Sequence, residues 1–361
     1  MTIAADSPFL HNAWYVAGWA SELRGGALLA RTMLDEPIVI GRDARGAPFA
    51  LIDRCPHAFA PMSAGRVLPG DRLQCPYHGL EFDLSGACVR NPHGNGNIPP
   101  SATLQAFPIV ERHTILWCWM GDRPADETLI PDFSCLDGVA EIYRATEDLL
   151  MLDASSELIV NNLLDLSHSP YLHEGVLGNE GTIDAEIIVE QQGNTVYIER
   201  AVADCEIPGL FAKMLPTAPG ERVFKSSRMR WDAPGALLND SVVERQGDPA
   251  SRTGIFGVHL ITPMTARRSM YHFVAVRKSP RRATEADDRA IQEQVSRARR
   301  VAFEQQDAVM ILAQQARIDL AAPRKLQQTL LVVDQGAVRK QRVLSALMAA
   351  ERESASIPAS S

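Results

Sequence analysis

Two pairs of metal-ligating residues stand close together in the first quarter of the chain. Cys55-Pro56-His57 is followed, after residues 58–74, by Cys75-Pro76-Tyr77-His78. Two thiolates and two imidazoles, delivered as C-x-H and C-x2-H, are the donor set of a [2Fe–2S] cluster in which histidines replace cysteines on one iron. That replacement raises the reduction potential, so such a centre accepts electrons and passes them on. The same inventory could hold a tetrahedral zinc ion. Zinc-finger ligands, however, come as C-x2-4-C and H-x3-5-H before a helix. Both runs here follow strand-like segments, Phe49 to Asp53 and Arg72 to Gln74, and Pro56 and Pro76 stiffen the loops.

A second constellation lies in Asn161-Asn162-Leu163-Leu164-Asp165-Leu166-Ser167-His168-Ser169-Pro170-Tyr171-Leu172-His173. On a helix Asp165 and His168 share a face, so the carboxylate can orient that imidazole. His168 and His173 are five apart and diverge by about 140° on a regular helix. Pro170 disrupts the turn between them and lets the second histidine swing back. Two histidines and one carboxylate on one face of an octahedron are the ligand set of non-haem Fe(II) oxygen chemistry. The residues alone leave the carboxylate open among Asp153, Glu174, Glu304 and Asp307.

The elements that must position these groups divide into two kinds. The first third is strand and turn: Asn12 to Trp19, Pro37 to Gly41, Phe49 to Ile52, a hairpin from Leu80 to Arg90 turning at Ser85-Gly86, then Phe107 to Arg112 and Ile115 to Trp119. From Gly121 the pattern becomes mixed. A short helix is expected over Ser156 to Leu166, and strands over 187–190, 195–201, 222–231, 236–244, 253–262 and 271–277. Long helices follow over Thr284 to Ile318 and Gly336 to Glu353. The pattern is therefore α+β: an all-β domain (1–120), a linker (121–135), a second domain with an antiparallel sheet and helices (136–353), and a disordered tail (354–361).

The run CPHAFAPMSAGRVLPGDRLQCPYHGLEFDLSGACVRNPHGNG resembles the N-terminal domain of the Rieske non-haem iron oxygenases, and most of all their aromatic O-demethylase branch. The resemblance extends over essentially the whole chain, and implies that the first domain holds the cluster and that the second is catalytic and helix-grip-like. It implies Cys55, His57, Cys75 and His78 as cluster ligands and His168 and His173 as Fe(II) ligands. The third ligand would come from the late helix Val301-Ala302-Phe303-Glu304-Gln305-Gln306-Asp307, where Asp307 matches and Glu304 is the rival one turn away. It further implies a homotrimer in which Asp165 links His78 of one chain to His168 of the next, an Asn162 near the iron, and Asn239 and His259 at positions that hold a carboxylated aryl ether. Three residues depart from the pattern: Ala58 replaces an Arg, Asn161 an Asp and Ala298 a Trp.

By the same resemblance the chain is the terminal oxygenase of a multicomponent system. It would use O2 and NADH-derived electrons from a separate reductase with flavin and a ferredoxin-type cluster. No G-x-G-x-x-G follows a strand, in keeping with an indirect use of NADH. The implied reaction hydroxylates a methyl group of a small aromatic acid; on an ether oxygen the hemiacetal then collapses to a phenol and formaldehyde. Ring dihydroxylation and N-demethylation are sister chemistries on the same scaffold. An electron carrier without catalysis is the third reading, disfavoured by the long chain beyond the cluster domain and by His168, His173 and Asp307.

Composition sets bounds on partners. A net charge of −8 with no basic stripe argues against nucleic acid and against a membrane surface. No run of eighteen apolar residues occurs, so no bilayer span is expected, and the opening residues lack a basic segment followed by an apolar one. The six cysteines form no disulfide pattern. Cys88, Cys118, Cys135 and Cys205 read as small hydrophobes, and a cytoplasmic location is expected.

Overall fold

The computed structural model describes residues 7–278, 284–324 and 327–355. The chain divides into two compact units that part between Ile130 and Pro131, inside the span the sequence marks as linker. The first unit also takes in Thr262–Ala266 and Met348–Ser361, which a linear reading assigns to the second. Hydrogen bonds give the reason within the described residues. Thr262 Oγ1 donates to the Val16 carbonyl, and the Glu351 carboxylate accepts from the His11 N–H and the Asn12 side chain.

The first unit is built from eleven short strands: β1 (Ala13–Trp19), β2 (Leu29–Met33), β3 (Glu36–Arg42), β4 (Pro48–Ile52), β5 (Arg66–Leu68), β6 (Arg72–Gln74), β7 (Glu81–Asp83), β8 (Cys88–Arg90), β9 (Ala106–Phe107), β10 (Ile109–Arg112) and β11 (Ile115–Met120). They form three sheets with orders β1-β11-β10, β2-β3-β4-β9 and β5-β6-β7-β8. Strands β1 and β11 are buried along their whole length, which is why AWYVAGW and ILWCWM read as continuous apolar runs rather than alternating ones. Their Trp14 and Trp119 rings meet edge to face at 5.4 Å. The cluster motifs leave the ends of β4 and β6.

The second unit is organised on one seven-stranded sheet: β12 (Asp148–Leu152), β13 (Glu186–Gln192), β14 (Thr195–Glu206), β15 (Arg222–Asp232), β16 (Ala236–Arg245), β17 (Asp248–Thr265) and β18 (Arg268–Arg277). The order is β12-β18-β17-β16-β15-β14-β13. Among its helices are α1 (Ser156–Leu164), α2 (Ser169–Leu172), α3 (Gly209–Ala212), α4 (Glu285–Arg300), α5 (Ala308–Ala321) and α6 (Gln335–Ala355). One face of the sheet carries Val196, Ile198, Met229, Trp231 and Leu237 into a core shared with Ile159, Leu163, Phe303 and Ile311 of the helices. This is the α+β fold with an antiparallel sheet and helices. Among the described residues no helix is long and apolar enough to cross a membrane.

Several local expectations change. The helix expected to 166 stops at Leu164, because Asp165 adopts an extended ψ of 90° and its carboxylate caps the next turn. Pro170 then occupies the first turn of α2, where its missing N–H costs nothing, so it starts a helix rather than breaking one. The long helical pattern from Thr284 is interrupted between α4 and α5 by a π-helical turn over Val301–Asp307. Thr284 itself is the N-cap, accepting from the Asp287 N–H. The tail expected from Ser354 is helical at its start, where Ser354 Oγ bonds back to the Ala350 carbonyl; residues 356–361 lie outside the described residues.

Candidate metal centres and cavity

The two cluster loops are built alike. Cys55 N–H donates to the Ala60 carbonyl and Phe59 N–H to the Cys55 carbonyl; Cys75 N–H donates to Leu80 and Gly79 N–H to Cys75. Closing each loop this tightly needs a positive φ at its fifth residue, 58° at Phe59 and 72° at Gly79. Cys55 and Cys75 are buried, at 1% and 2% exposure, while His57 is exposed and His78 half-buried, with their Nδ1 atoms 3.1 Å apart. A sulfur pair inside and an imidazole pair facing out fit a cluster whose histidine-ligated iron is the accessible one. Four donors from two hairpin loops, with no following finger helix, do not make a zinc finger.

Around this edge, His93 bonds the His78 carbonyl at 2.7 Å, and Tyr77 packs its ring 3.8 Å from that of His78. Ala58 is exposed on the first loop. Beneath the second loop, Glu81 is buried and paired with Arg72 at 2.5 Å and Arg90 at 2.6 Å. Arg90's hydrogen bond and the two guanidinium charges hold its carboxyl below the ordinary value.

In the second unit His168, His173 and Asp307 converge. His168 Nε2 and His173 Nε2 are 3.2 Å apart, and Asp307 Oδ1 lies 3.5 Å and 3.2 Å from them. A metal at about 2.1 Å from nitrogen donors on one octahedral face separates them by about 3.0 Å, so the triangle fits a facial two-histidine, one-carboxylate site. The tautomers agree. His168 Nδ1–H donates to the Asp165 backbone carbonyl at 2.5 Å, and His173 Nδ1–H to Gln306 Oε1 at 2.8 Å, leaving both Nε2 lone pairs aimed inward.

Two expectations are corrected here. Asp165 orients His168 through its main-chain carbonyl, not its carboxylate, which instead accepts from the Ser167 N–H at 2.9 Å. The histidines converge because the chain leaves the helix at Asp165, five residues before Pro170. Asn162 donates to Asp307 Oδ1 at 3.1 Å. Burial depresses the imidazole of His168. At His173 burial pulls the same way but is outweighed by the Asp307 hydrogen bond and charge, and its value rises.

The rival carboxylates fall away on geometry. Glu304 is exposed and reaches Arg300, Asp153 is exposed beside Arg268, and Glu174 is exposed. The π turn makes the difference. Its wider spacing lets the adjacent Gln306 and Asp307 both address His173, which two neighbours on a regular helix, about 100° apart, do not do readily.

The three donors open onto a cavity whose wall surface is mostly apolar, with Leu163, Leu166, Leu177, Met229 and Phe303 among its residues and polar side chains between them. Asn239 and His259 line it as well. His259 is fully buried; its Nδ1 pairs with the Tyr271 hydroxyl at 2.7 Å, and burial drops its value to about 3, so the ring is neutral. Asn161 does not line this cavity, and its side-chain oxygen is buried without a partner. Ala298 packs against a core cluster that includes Leu210, Phe211 and Val295. Sequence reasoning assigned no part to Gln306, Arg200, Lys225 or Arg299, all set around this site. Arg200 and Lys225 stand at inward positions of β14 and β15, in step with Val196, Ile198, Val223 and Met229, and strand alternation alone would have flagged them.

Residues 13–108 match the Rieske [2Fe–2S] domain, and residues 152–350 match the vanillate O-demethylase oxygenase C-terminal domain. The chain is 35% identical to the oxygenase component of chloroacetanilide N-alkylformylase from Rhizorhabdus wittichii, over 95% of this chain and 97% of that one. It is also 35% identical to the oxygenase component of dicamba O-demethylase from Stenotrophomonas maltophilia, over 94% and 98%. A crystal structure of dicamba monooxygenase bound to 3,6-dichlorosalicylic acid superposes with a TM-score of 0.86, covering 95% of this chain and 98% of that one at 35% identity. With a cluster domain, a mononuclear iron domain and full-length relatives of this kind, the chain belongs to the Rieske non-haem iron oxygenases, as the terminal oxygenase component of a multicomponent system.

Proposed function

We propose that this oxygenase hydroxylates a methyl group of a small aromatic acid, in the simplest case an aryl methyl ether, releasing formaldehyde and a phenol. The observation that carries the reading is the cavity: one wall offers the three inward-facing donors of His168, His173 and Asp307, and the rest is predominantly apolar. When bound, the iron supplies O2 activation and the Rieske cluster supplies single electrons. The chain's own residues do the remaining work. Gln306 and the Asp165 carbonyl fix the two histidine rings, Asn162 fixes the Asp307 oxygen, and Leu163, Leu166, Leu177 and Phe303 exclude water from the reacting methyl.

Electrons would arrive from a flavin and ferredoxin-type reductase fed by NADH, through Cys55, Cys75, His57 and His78. In a homotrimer Asp165 would carry them onward from His78 of the partner subunit. Support comes from the partly exposed position of His78 and from Asp165 Oδ2, which has no hydrogen-bond partner among the described residues. Division into a cluster domain (1–120), linker and catalytic domain (136–353) belongs to the same reading, as does a cytoplasmic location, supported by six unpaired cysteines.

N-dealkylation is the second reading, favoured by the likeness to the N-alkylformylase component. A panel of methoxylated, N-methylated and unsubstituted aromatic acids, supplied with a matched reductase and scored for formaldehyde under O2, separates these chemistries. Formaldehyde from a methoxylated acid is expected. Dihydrodiol without formaldehyde would overturn the proposal. Asp165→Asn should retain both metals and lose turnover.

A further inference from the structure

The iron-site cavity carries more positive charge than a neutral substrate could use. Among its charged lining residues are three cations, Arg200, Lys225 and Arg299, against one carboxylate, Asp307, which is committed to the iron. Arg299 lays its guanidinium over the Phe273 and Phe303 rings at 4.8 Å and 5.9 Å, while its Nε, Nη1 and Nη2 are buried without a hydrogen-bond partner among the described residues. Lys225 Nζ likewise stands over the Phe211 ring at 5.4 Å, whereas no ring faces Arg200 among the described residues.

These two belong to one patch of sheet. Arg200 on β14 pairs with Ser227 on β15, and Val202 pairs with Lys225, so both cations project from the same face on neighbouring strands, one diagonal step apart. Lys225 Nζ reaches Ser227 Oγ at 3.2 Å, Ser227 shares a 2.7 Å bond with Ser241, and Ser241 donates to Asn239 Oδ1 at 3.2 Å. A polar track thus crosses an otherwise apolar floor. Arg200 is 8% exposed; its Nη2 donates to the Thr182 and Ile183 carbonyls, and its other nitrogens have no partner among the described residues. No carboxylate lies within ion-pairing distance of either cation among the described residues; Asp165 acts on Arg200 only from further away. Lys225 is half-buried and lines the cavity, and burial brings its ammonium down to about 8. Two cations set into a cavity wall with no carboxylate partner are costly unless an anion answers them.

Resting on the demethylation reading for the rest of the substrate, we propose that Arg200 and Lys225 form the substrate-anion subsite, taking the carboxylate or sulfonate of the aromatic acid. This separates acid recognition from His259. That ring is neutral and already bonded to Tyr271, and it lies in the row of Trp231, six residues along the sheet from Lys225, roughly 20 Å of strand. Asn239 lies between, where it can touch the ring of a bound acid.

The test is calorimetric titration of the anaerobic holoenzyme with 4-methoxybenzoate, 4-methoxybenzenesulfonate and the neutral 4-methoxybenzamide. Wild type is expected to bind at least one acid tenfold or more tighter than the amide. The stronger of the two acids identifies the anion. Lys225→Met should erase that preference while leaving amide binding and iron content unchanged, and Lys225→Arg should restore it. Equal binding of acid and amide, failure of both acids to bind, or a preference that survives Lys225→Met and disappears in His259→Gln would overturn the subsite. Formaldehyde release under O2 is read separately. Acid preference without formaldehyde sinks the demethylation reading and leaves the subsite standing, and formaldehyde without acid preference does the reverse.

Discussion

Replacing Gln306 by leucine tests how the iron site is held. Gln306 Oε1 is the acceptor for His173 Nδ1–H at 2.8 Å, and His173 is 1% exposed, so no bulk water can take its place. Leucine keeps the volume and removes the acceptor. An unanswered buried donor costs about 1–3 kcal/mol, which at about 1.4 kcal/mol per decade is roughly 5–150-fold in an equilibrium constant. Loss of an outer hydrogen bond to a metal-bound histidine costs about 10–100-fold in metal affinity, in the same range. Fe(II) affinity measured against a colorimetric chelator under anaerobic conditions should therefore weaken by about tenfold or more. The visible absorbance of the Rieske cluster should be unchanged, since that centre is built from other residues. Gln306→Glu keeps an acceptor and should hold iron far better than the leucine variant. An iron affinity within about threefold of wild type in Gln306→Leu, with the cluster intact, would refute the idea that this amide fixes the ring.

Two further outcomes concern the cluster unit. Glu81 is held ionised by Arg90 and Arg72, so its folded value lies below the unfolded one of about 4.3. Its contribution to stability is present above that value and is lost as pH falls through the folded value. Glu81→Gln should therefore lower the melting temperature of the cluster unit at pH 7, and the difference from wild type should shrink on acidification below about pH 4; a difference that stays constant with pH would contradict this. Gly65→Ala would place a Cβ 2.1 Å from the Gln74 carbonyl oxygen, between β5 and β6. The hairpin that leads into Cys75 must then part, and the purified variant should lack the cluster's colour while still titrating iron at the second site.

The candidate ligands stood out in the sequence because chemistry constrains such sets tightly: short C-x-H and C-x2-H spacings, and two histidines beside a helix end. The strands of the second unit were legible through alternation, yet β12 was not, because DLLML does not alternate and its central residues are only partly buried. What escaped depended on backbone detours. Asp165 was read as part of a helix, and only its extended ψ shows that its carbonyl, not its carboxylate, meets His168. Nothing in Val301–Asp307 distinguishes a π turn from an α-helix, since Gln and Glu suit both, so the pairing of Gln306 with Asp307 at one histidine could not be seen. Lys225 and Arg200 were missed for a different reason: long polar side chains in strands are usually solvated, and their inward parity was the signal that went unused.

The widened turn before Asp307 makes the iron site sensitive to chain length as well as to chemistry. Removing a single residue between Val301 and Gln306 would let α4 and α5 rewind into one rod of ordinary pitch, swinging Asp307 about a quarter revolution off axis. A deletion that spares every ligand could thus empty the site, while many substitutions on the solvent side of the same segment would pass unnoticed.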